Sequence, residues 1–243
     1  NIINMPHPVS NKKTARISGL LYLAVILTGM FSLLYVPGKL IVHGNAAATY
    51  QQIVSSETLF RLGIVSGLAC YTFFLFLPVY LFRLLKPVNK NIAGIMVMLA
   101  VVSVPISFLN LQHKFAVLTL INSAGSFTSM PIEQIQMQVS FYLDQYNNGI
   151  SIVSIFWGLW LFPFGYLVFK SGIIPKVLGI FLMLGCFGYL VSFLGNMLIP
   201  DYAQLGLDSY ISLPSALGEI GSCLWLLVMG AKEVKVDTGM QAG

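Results

Sequence analysis

The sequence predicts an all-α fold, a polytopic bundle of six transmembrane helices with both ends of the chain on the cytoplasmic side. Three observations predict it. Of 243 residues, 57% are apolar and only 9% are charged, with a mean hydropathy of +0.83. A water-soluble domain keeps about a quarter of its residues charged, and a disordered chain needs low hydrophobicity with high net charge. The apolar residues gather in six runs, each reaching the roughly 20 residues that cross a hydrocarbon core about 30 Å thick. Drawn as six helices, the chain also sorts its lysines and arginines to one side, as cytoplasmic loops do.

The first run, 14–35, follows Lys12, Lys13 and Arg16 as a secretory signal would. It is longer than an h-region and closes on Tyr35, Pro37 and Lys39 rather than on a small-residue cleavage site, so it reads as a retained helix. The outer connection 36–58 holds a short helix over 46–54, with Asn45 as the N-cap accepting an otherwise unpaired backbone N–H. Runs 59–85 and 91–120 follow, the latter carrying Pro105, which kinks a helix. In the outer connection 121–147, Pro131 suits a first helical position, and Ile132, Ile135, Val139 and Tyr142 or Leu143 recur at helical spacing. That pattern predicts an amphipathic helix against the outer membrane surface or over the bundle mouth, a connector in preference to a lid. Runs 148–170, 174–198 and 212–232 complete a single integral membrane domain, 1–243. With the N-terminus inside, Lys12, Lys13, Arg16, Arg83, Lys86, Lys90, Lys170, Lys176, Lys232 and Lys235 are inner and Lys39, Arg61 and Lys114 outer, ten against three. A five-helix or seven-helix reading would break that bias. Five of the eight acids, Glu57, Glu133, Asp144, Asp201 and Asp208, fall outside.

Several chemistries find no support. The net charge of +5 and pI near 9.1 would fit nucleic acid if the basic residues formed a patch, but they are dispersed. Cys70, Cys186 and Cys223 lie singly in apolar runs and read as small packing residues. No second ligand stands at metal spacing from His7, His43 or His113. The Walker loop, dinucleotide fingerprint, serine elbow and zincin helix are absent, so neither a metal nor a cofactor is expected. Trp157 and Trp160, with Phe156, fall mid-helix rather than in an interfacial belt and read as packing.

Four stretches carry a resemblance: KLIVHGNAAATYQQI from Lys39 to Ile53, Phe60 to Ile64, LLKPVNKNIAG from Leu84 to Gly94, and GYLVFKSGIIPKVLGIFLMLGCFGYL from Gly165 to Leu190. The second and fourth are the more specific. Together they resemble a bacterial multi-pass membrane family, domain of unknown function 4386, over nearly the whole chain. The resemblance implies six helices in a bacterial inner membrane and supplies no activity. Relatives tend to carry Asp before the alanines where this chain has Asn45, which caps equally well. They tend to place His and Asp around the glycine opening the fourth helix, where this chain has Gln145, Asn147, Asn148 and Ser151. That departure argues against proton chemistry shared with the family there.

In lipid, small and polar residues mark the protein-facing sides of helices. The third helix carries Ser103, Ser107, Asn110 and Lys114. The fourth has Asn147, Ser151, Ser154, Gly158 and Gly165; the fifth Gly185, Gly188, Ser192 and Gly195; the sixth Ser215, Gly218, Glu219 and Ser222. At about 1.5 Å per residue, Glu219 and Ser103 both sit roughly 20 Å from the inner lysines. Polarity then rises outward through Ser107, Asn110 and Asn147 to Lys114 and Asp144, predicting an outward-open polar cavity with Glu219 near its floor. Glu219 is the one carboxylate within a span, and inserting such a residue costs on the order of 2.5–3.5 kcal/mol. It is either a functional proton-carrying acid or a hydrogen-bonded tie from the sixth helix to the third and fifth. Arg61, four residues after Glu57, is a candidate for a lipid phosphate or for that carboxylate.

Three functions are compatible with this pattern. The first is a bundle that binds or translocates a small amphipathic molecule or lipid. The second is a non-catalytic membrane subunit docked on a partner. The third, weaker because no second catalytic group stands near, is an intramembrane enzyme using Glu219; an enzyme is the less favoured class. The lipid bilayer is the expected surrounding partner, and nucleic acid is not expected.

Overall fold

The computed structural model describes residues 11–123 and 130–231. Among them there is no strand, and six helices are long and apolar enough to cross a membrane. The first begins as α1 (Asn11–Met30), passes through a π-helical turn, Phe31–Tyr35, and ends as α2 (Val36–Leu40). A π turn displaces one residue from the regular helical register. Here it carries the buried Ser32, whose hydroxyl donates to the Gly63 carbonyl at 2.8 Å. Asn45 caps the short α3 (Ala46–Ser55), its side chain accepting from the Ala48 N–H at 2.9 Å. Next come α4 (Glu57–Leu85) and α5 (Lys90–Asn110), the latter capped by Asn89. The helix continues past Pro105, gives way at Leu111 and resumes as α6 (Gln112–Ser123).

The stretch expected as a separate surface helix is continuous with the fourth span in α7 (Ile132–Ser171), 40 residues long. At 1.5 Å per residue that is roughly 60 Å, about twice a hydrocarbon core, so part of the helix stands clear of it. Gln145 to Asn148 contains no proline to stop a helix that has left the lipid. The apolar stripe Ile135, Val139 and Leu143 is buried. Val139 and Leu143 share a small second core with Leu40, Ile53, Phe60 and Val117. The stripe therefore packs on protein instead of lying on a membrane. Gly172, at φ +66°, ends α7 in the left-handed region that favours glycine. The chain continues as α8 (Lys176–Leu198), a 3₁₀ turn at Tyr202–Leu205, α9 (Asp208–Ile211) and α10 (Leu213–Val228).

The spans form a closed ring in chain order. α1 packs on α4, α4 on α5, α5 on α7, α7 on α8, α8 on α10, and α10 back on α1. Val36 meets Gly63 at the start of α4, and Gly19 near the start of α1 meets Leu227 near the end of α10, so neighbours run antiparallel. Arg16, Arg83, Lys86, Lys90, Lys170 and Lys176 consequently share one end of the ring. Lys232 and Lys235, expected with them, lie outside the described residues.

Close approach fixes the seams. A Cβ on Gly165 would stand 2.5 Å from the Gly179 carbonyl, and one on Gly185 would stand 2.8 Å from Ser215 Cα. The glycines of the fourth, fifth and sixth spans thus work as packing surfaces, the arrangement small residues permit in lipid. The interior is filled by rings. Trp160 stacks on Phe164 at 5.2 Å, Phe74 meets Trp160 edge-on at 5.2 Å, and Tyr71 lies between Phe108 and Trp157 at 6.0 and 6.3 Å. Both mid-span tryptophans of α7 are therefore packing residues.

Candidate functional site

The polar residues of the spans fall into two groups on different walls of the ring. α10 packs against α1 and α8, whereas α5 and α6 pack against α7, so Glu219 and the stripe of Ser103 and Ser107 face separate neighbours. Ser103 donates to the Ala100 carbonyl at 2.7 Å and Ser107 to the Ser103 carbonyl at 2.8 Å, both fully buried. Their hydroxyls are spent on their own helix, as serine does inside an apolar span.

Glu219 is tied to the first helix. The Tyr22 hydroxyl donates to its Oε2 at 3.0 Å, while Tyr22 is packed at 6.3 and 6.4 Å from Trp160 and Phe164. Cys223, one turn further along α10, approaches the Gly19 carbonyl at 3.6 Å. A buried tyrosine needs a partner for its hydroxyl, and a carboxyl within a span needs a donor; each supplies the other.

One turn before Glu219, Ser215 lines a cleft of about 380 Å³ with Ser154, Gly188, Tyr189, Ser192, Ser209 and Ser212. It lies between α7, α8, α9 and α10, toward the end away from Arg16 and Lys170. Ser154 donates to the Ser151 carbonyl, Ser212 to the Ser209 carbonyl and Ser215 to the Ser212 carbonyl. With those protons committed to backbone, these serines offer the cleft oxygen lone pairs, an acceptor-rich wall suited to a ligand that brings its own donors.

The second group lies where α5 and α6 meet α7. The Asn110 amide donates to the Tyr146 carbonyl at 2.9 Å. Lys114 is only 4% exposed, its ammonium 4.1 Å from the centre of the Tyr146 ring. Asn147 stands apart from both groups, in a second cleft of about 290 Å³ shared with His43, Asn45, Ser140 and Asp144. Ser151 donates to the Asn147 carbonyl. Arg61 pairs with Glu57 at 2.6 Å on an exposed face. Among the described residues no three His, Cys, Asp or Glu side chains gather as a metal site would require.

Glu219, Ser154 and Ser192, all conspicuous in the sequence, lie around one region, which also takes in Tyr22, Tyr189, Ser209 and Ser212. Tyr22 carried a usable signal, since a tyrosine deep in an apolar run must find a partner. The two serines sit in a connection whose folding back over the spans leaves no periodic trace.

The chain belongs to the family described as domain of unknown function (DUF4386), whose model matches residues 17–230. It is similar to an uncharacterised protein of Archaeoglobus fulgidus, 29% identical over 154 residues that make up 63% of this chain and 75% of the relative. No solved structure matches the chain.

Proposed function

We propose that this protein sits in the cytoplasmic membrane of a bacterium, with the basic end of the ring inside, and binds a small amphipathic molecule or lipid in the serine-lined cleft. The grouping of Arg16, Arg83, Lys86, Lys90, Lys170 and Lys176 supports the orientation, because cytoplasmic loops collect Lys and Arg. The observation that carries the binding reading is the cleft itself. Its volume of about 380 Å³ is in the range of small-molecule sites. The oxygens of Ser154, Ser212 and Ser215 keep lone pairs for a donor, and the exposed apolar residues Phe187, Val191 and Leu213 are chain neighbours of lining residues. A hydroxyl or amine head would take the serine wall, and an apolar tail would pass between the spans to the bilayer. Glu219, beside this wall on α10, adds acceptor character that favours the same ligands.

The test uses the full chain in lipid nanodiscs with a photoactivatable monoacylglycerol as probe. Crosslinking should map to α8 and α10 beside the cleft and fall at least tenfold in Ser192→Phe, which fills it. Equal labelling of the parent and the filled variant would remove the reading. Orientation is tested separately by labelling single cysteines at Lys39 and Lys86 in intact cells with an impermeant maleimide, and only the Lys39 position should react.

A further inference from the structure

Another wall of the ring holds three polar groups that lack a hydrogen bond of good geometry. Tyr71 and Tyr146 are 3% and 4% exposed. Their hydroxyls face one another, yet neither makes a hydrogen bond of good geometry, and both oxygens are sealed from solvent. The third group is Lys114. Its ammonium rests over the Tyr146 ring, and among the described residues it has neither an ion pair nor a hydrogen-bond acceptor. The ring face attracts the cation but accepts none of its N–H bonds in the ordinary sense. Three elements, α4, α6 and α7, thus bring two phenols and an ammonium together. The Asn110 amide nearby is already committed to the Tyr146 carbonyl.

Leaving such groups unmatched is costly. A buried polar group without a partner forfeits about 1–3 kcal/mol, and a charged one more. One acid, Asp144, stands two residues before Tyr146 on α7, but it is exposed and makes no bond to Lys114. The chemistry that fills all three groups at once is an oxygen-bearing anion, which accepts from two hydroxyls and an ammonium and cancels the charge.

We propose that Lys114, Tyr71 and Tyr146 form a binding site for one carboxylate or phosphate group, at the end of the ring away from the basic loops. It is distinct from the serine cleft, which offers acceptors and would repel the same anion. Tyr146 does two things in it: its ring holds the ammonium in place from one side, and its hydroxyl offers a donor at the ring edge. Tyr71, wedged between Phe108 and Trp157, is held rigidly enough to present its donor without loss of rotamer freedom on binding.

The test measures the thermal midpoint of the full chain in dodecylmaltoside at constant ionic strength. Inorganic phosphate, decanoate and phosphatidylglycerol are each added separately, with chloride and phosphatidylcholine as controls. Binding to the folded state raises the midpoint. At least one of the three anions should raise it for the parent and leave Lys114→Met unmoved; a response to phosphate identifies a free anion, and a response to phosphatidylglycerol alone identifies a lipid headgroup. Without ligand, Lys114→Met should melt at or above the parent, because an unpaired buried charge is removed. Tyr146→Phe keeps the ring under the ammonium and should weaken the anion response five- to tenfold. The proposal is overturned if no anion shifts the parent, if Lys114→Met responds equally, or if Lys114→Met melts well below the parent without ligand. Should Lys114→Met fail to fold, an undiminished response in Tyr146→Phe overturns it alone.

Discussion

Replacing Gly165 with alanine tests whether the α7–α8 seam is held by direct backbone contact. The new Cβ would lie 2.5 Å from the Gly179 carbonyl oxygen and 2.9 Å from the Met183 backbone nitrogen, as well as 2.8 Å from Met183 Cγ. Only the Met183 side chain can turn away; the other two atoms belong to the facing helix. Restoring ordinary contact moves the helices apart by about 0.9 Å, and a gap of that order forfeits roughly a quarter to a half of the dispersion attraction of each pair it opens. The expected cost is about 2–3 kcal/mol, the upper part of the range for overpacking. The control is the same substitution at Gly94, where a Cβ meets nothing within 4 Å. There alanine should stabilise by roughly 0.5–1 kcal/mol through helix propensity alone. Reversible unfolding in mixed dodecylmaltoside and dodecyl sulfate micelles, followed by tryptophan fluorescence, reads both. Direct backbone contact at this seam is refuted if Gly165→Ala lies within about 0.5 kcal/mol of the parent, or if the two substitutions shift stability in the same direction.

Further outcomes follow from the polar contacts. Tyr22→Phe removes the hydroxyl bound to Glu219 and should cost about 0.6–1.5 kcal/mol. In a double-mutant cycle with Glu219→Leu, measured by the same unfolding assay, the tyrosine substitution should lose its effect. Asn45→Ala removes the cap on α3 and should cost on the order of 1 kcal/mol, seen as faster amide exchange at Ala48 and Thr49 and unchanged exchange in α8. Arg61→Gln breaks the exposed pair with Glu57 and should change stability by less than about 0.5 kcal/mol, an effect that salt abolishes.

The six spans were legible because length and hydropathy suffice for them: no other structure satisfies the backbone of so many apolar runs. The glycine stripes were legible for the same reason, since only small residues let helices touch in lipid. Partner choice was not. Glu219, expected against the third and fifth spans, lies beside Tyr189 of the fifth but is held by Tyr22 of the first, because hydropathy ranks residues along a helix and says nothing about which helix arrives beside it. The polar run Gln145 to Asn148 read as a connection because a membrane reading treats polar residues as exits. Outside the lipid the same residues sit comfortably in a helix, and α7 runs straight through. Lys114 and Asn110 were placed in a cavity shared with Glu219, whereas the ring assigns them to another wall, with the aromatic residues of α7 and α4 filling the interior.

The ring cannot close until α10 is made, because α10 packs back on α1. Tyr22 and Glu219 are 197 residues apart, and Gly19 and Cys223 are 204 apart, so the seam joining α1 to α10 brings together spans that leave the ribosome far apart in time. Synthesis proceeds at about 5–20 residues per second. α1 therefore waits on the order of ten seconds or more with its Tyr22 face open to lipid or to whatever escorts nascent helices, while α1 and α4 can already pair. Every chain that stops before α10 keeps that face unpaired. The polar tie across the seam forms only once α10 has been inserted, which gives a physical difference between a ring that has closed and one that has not.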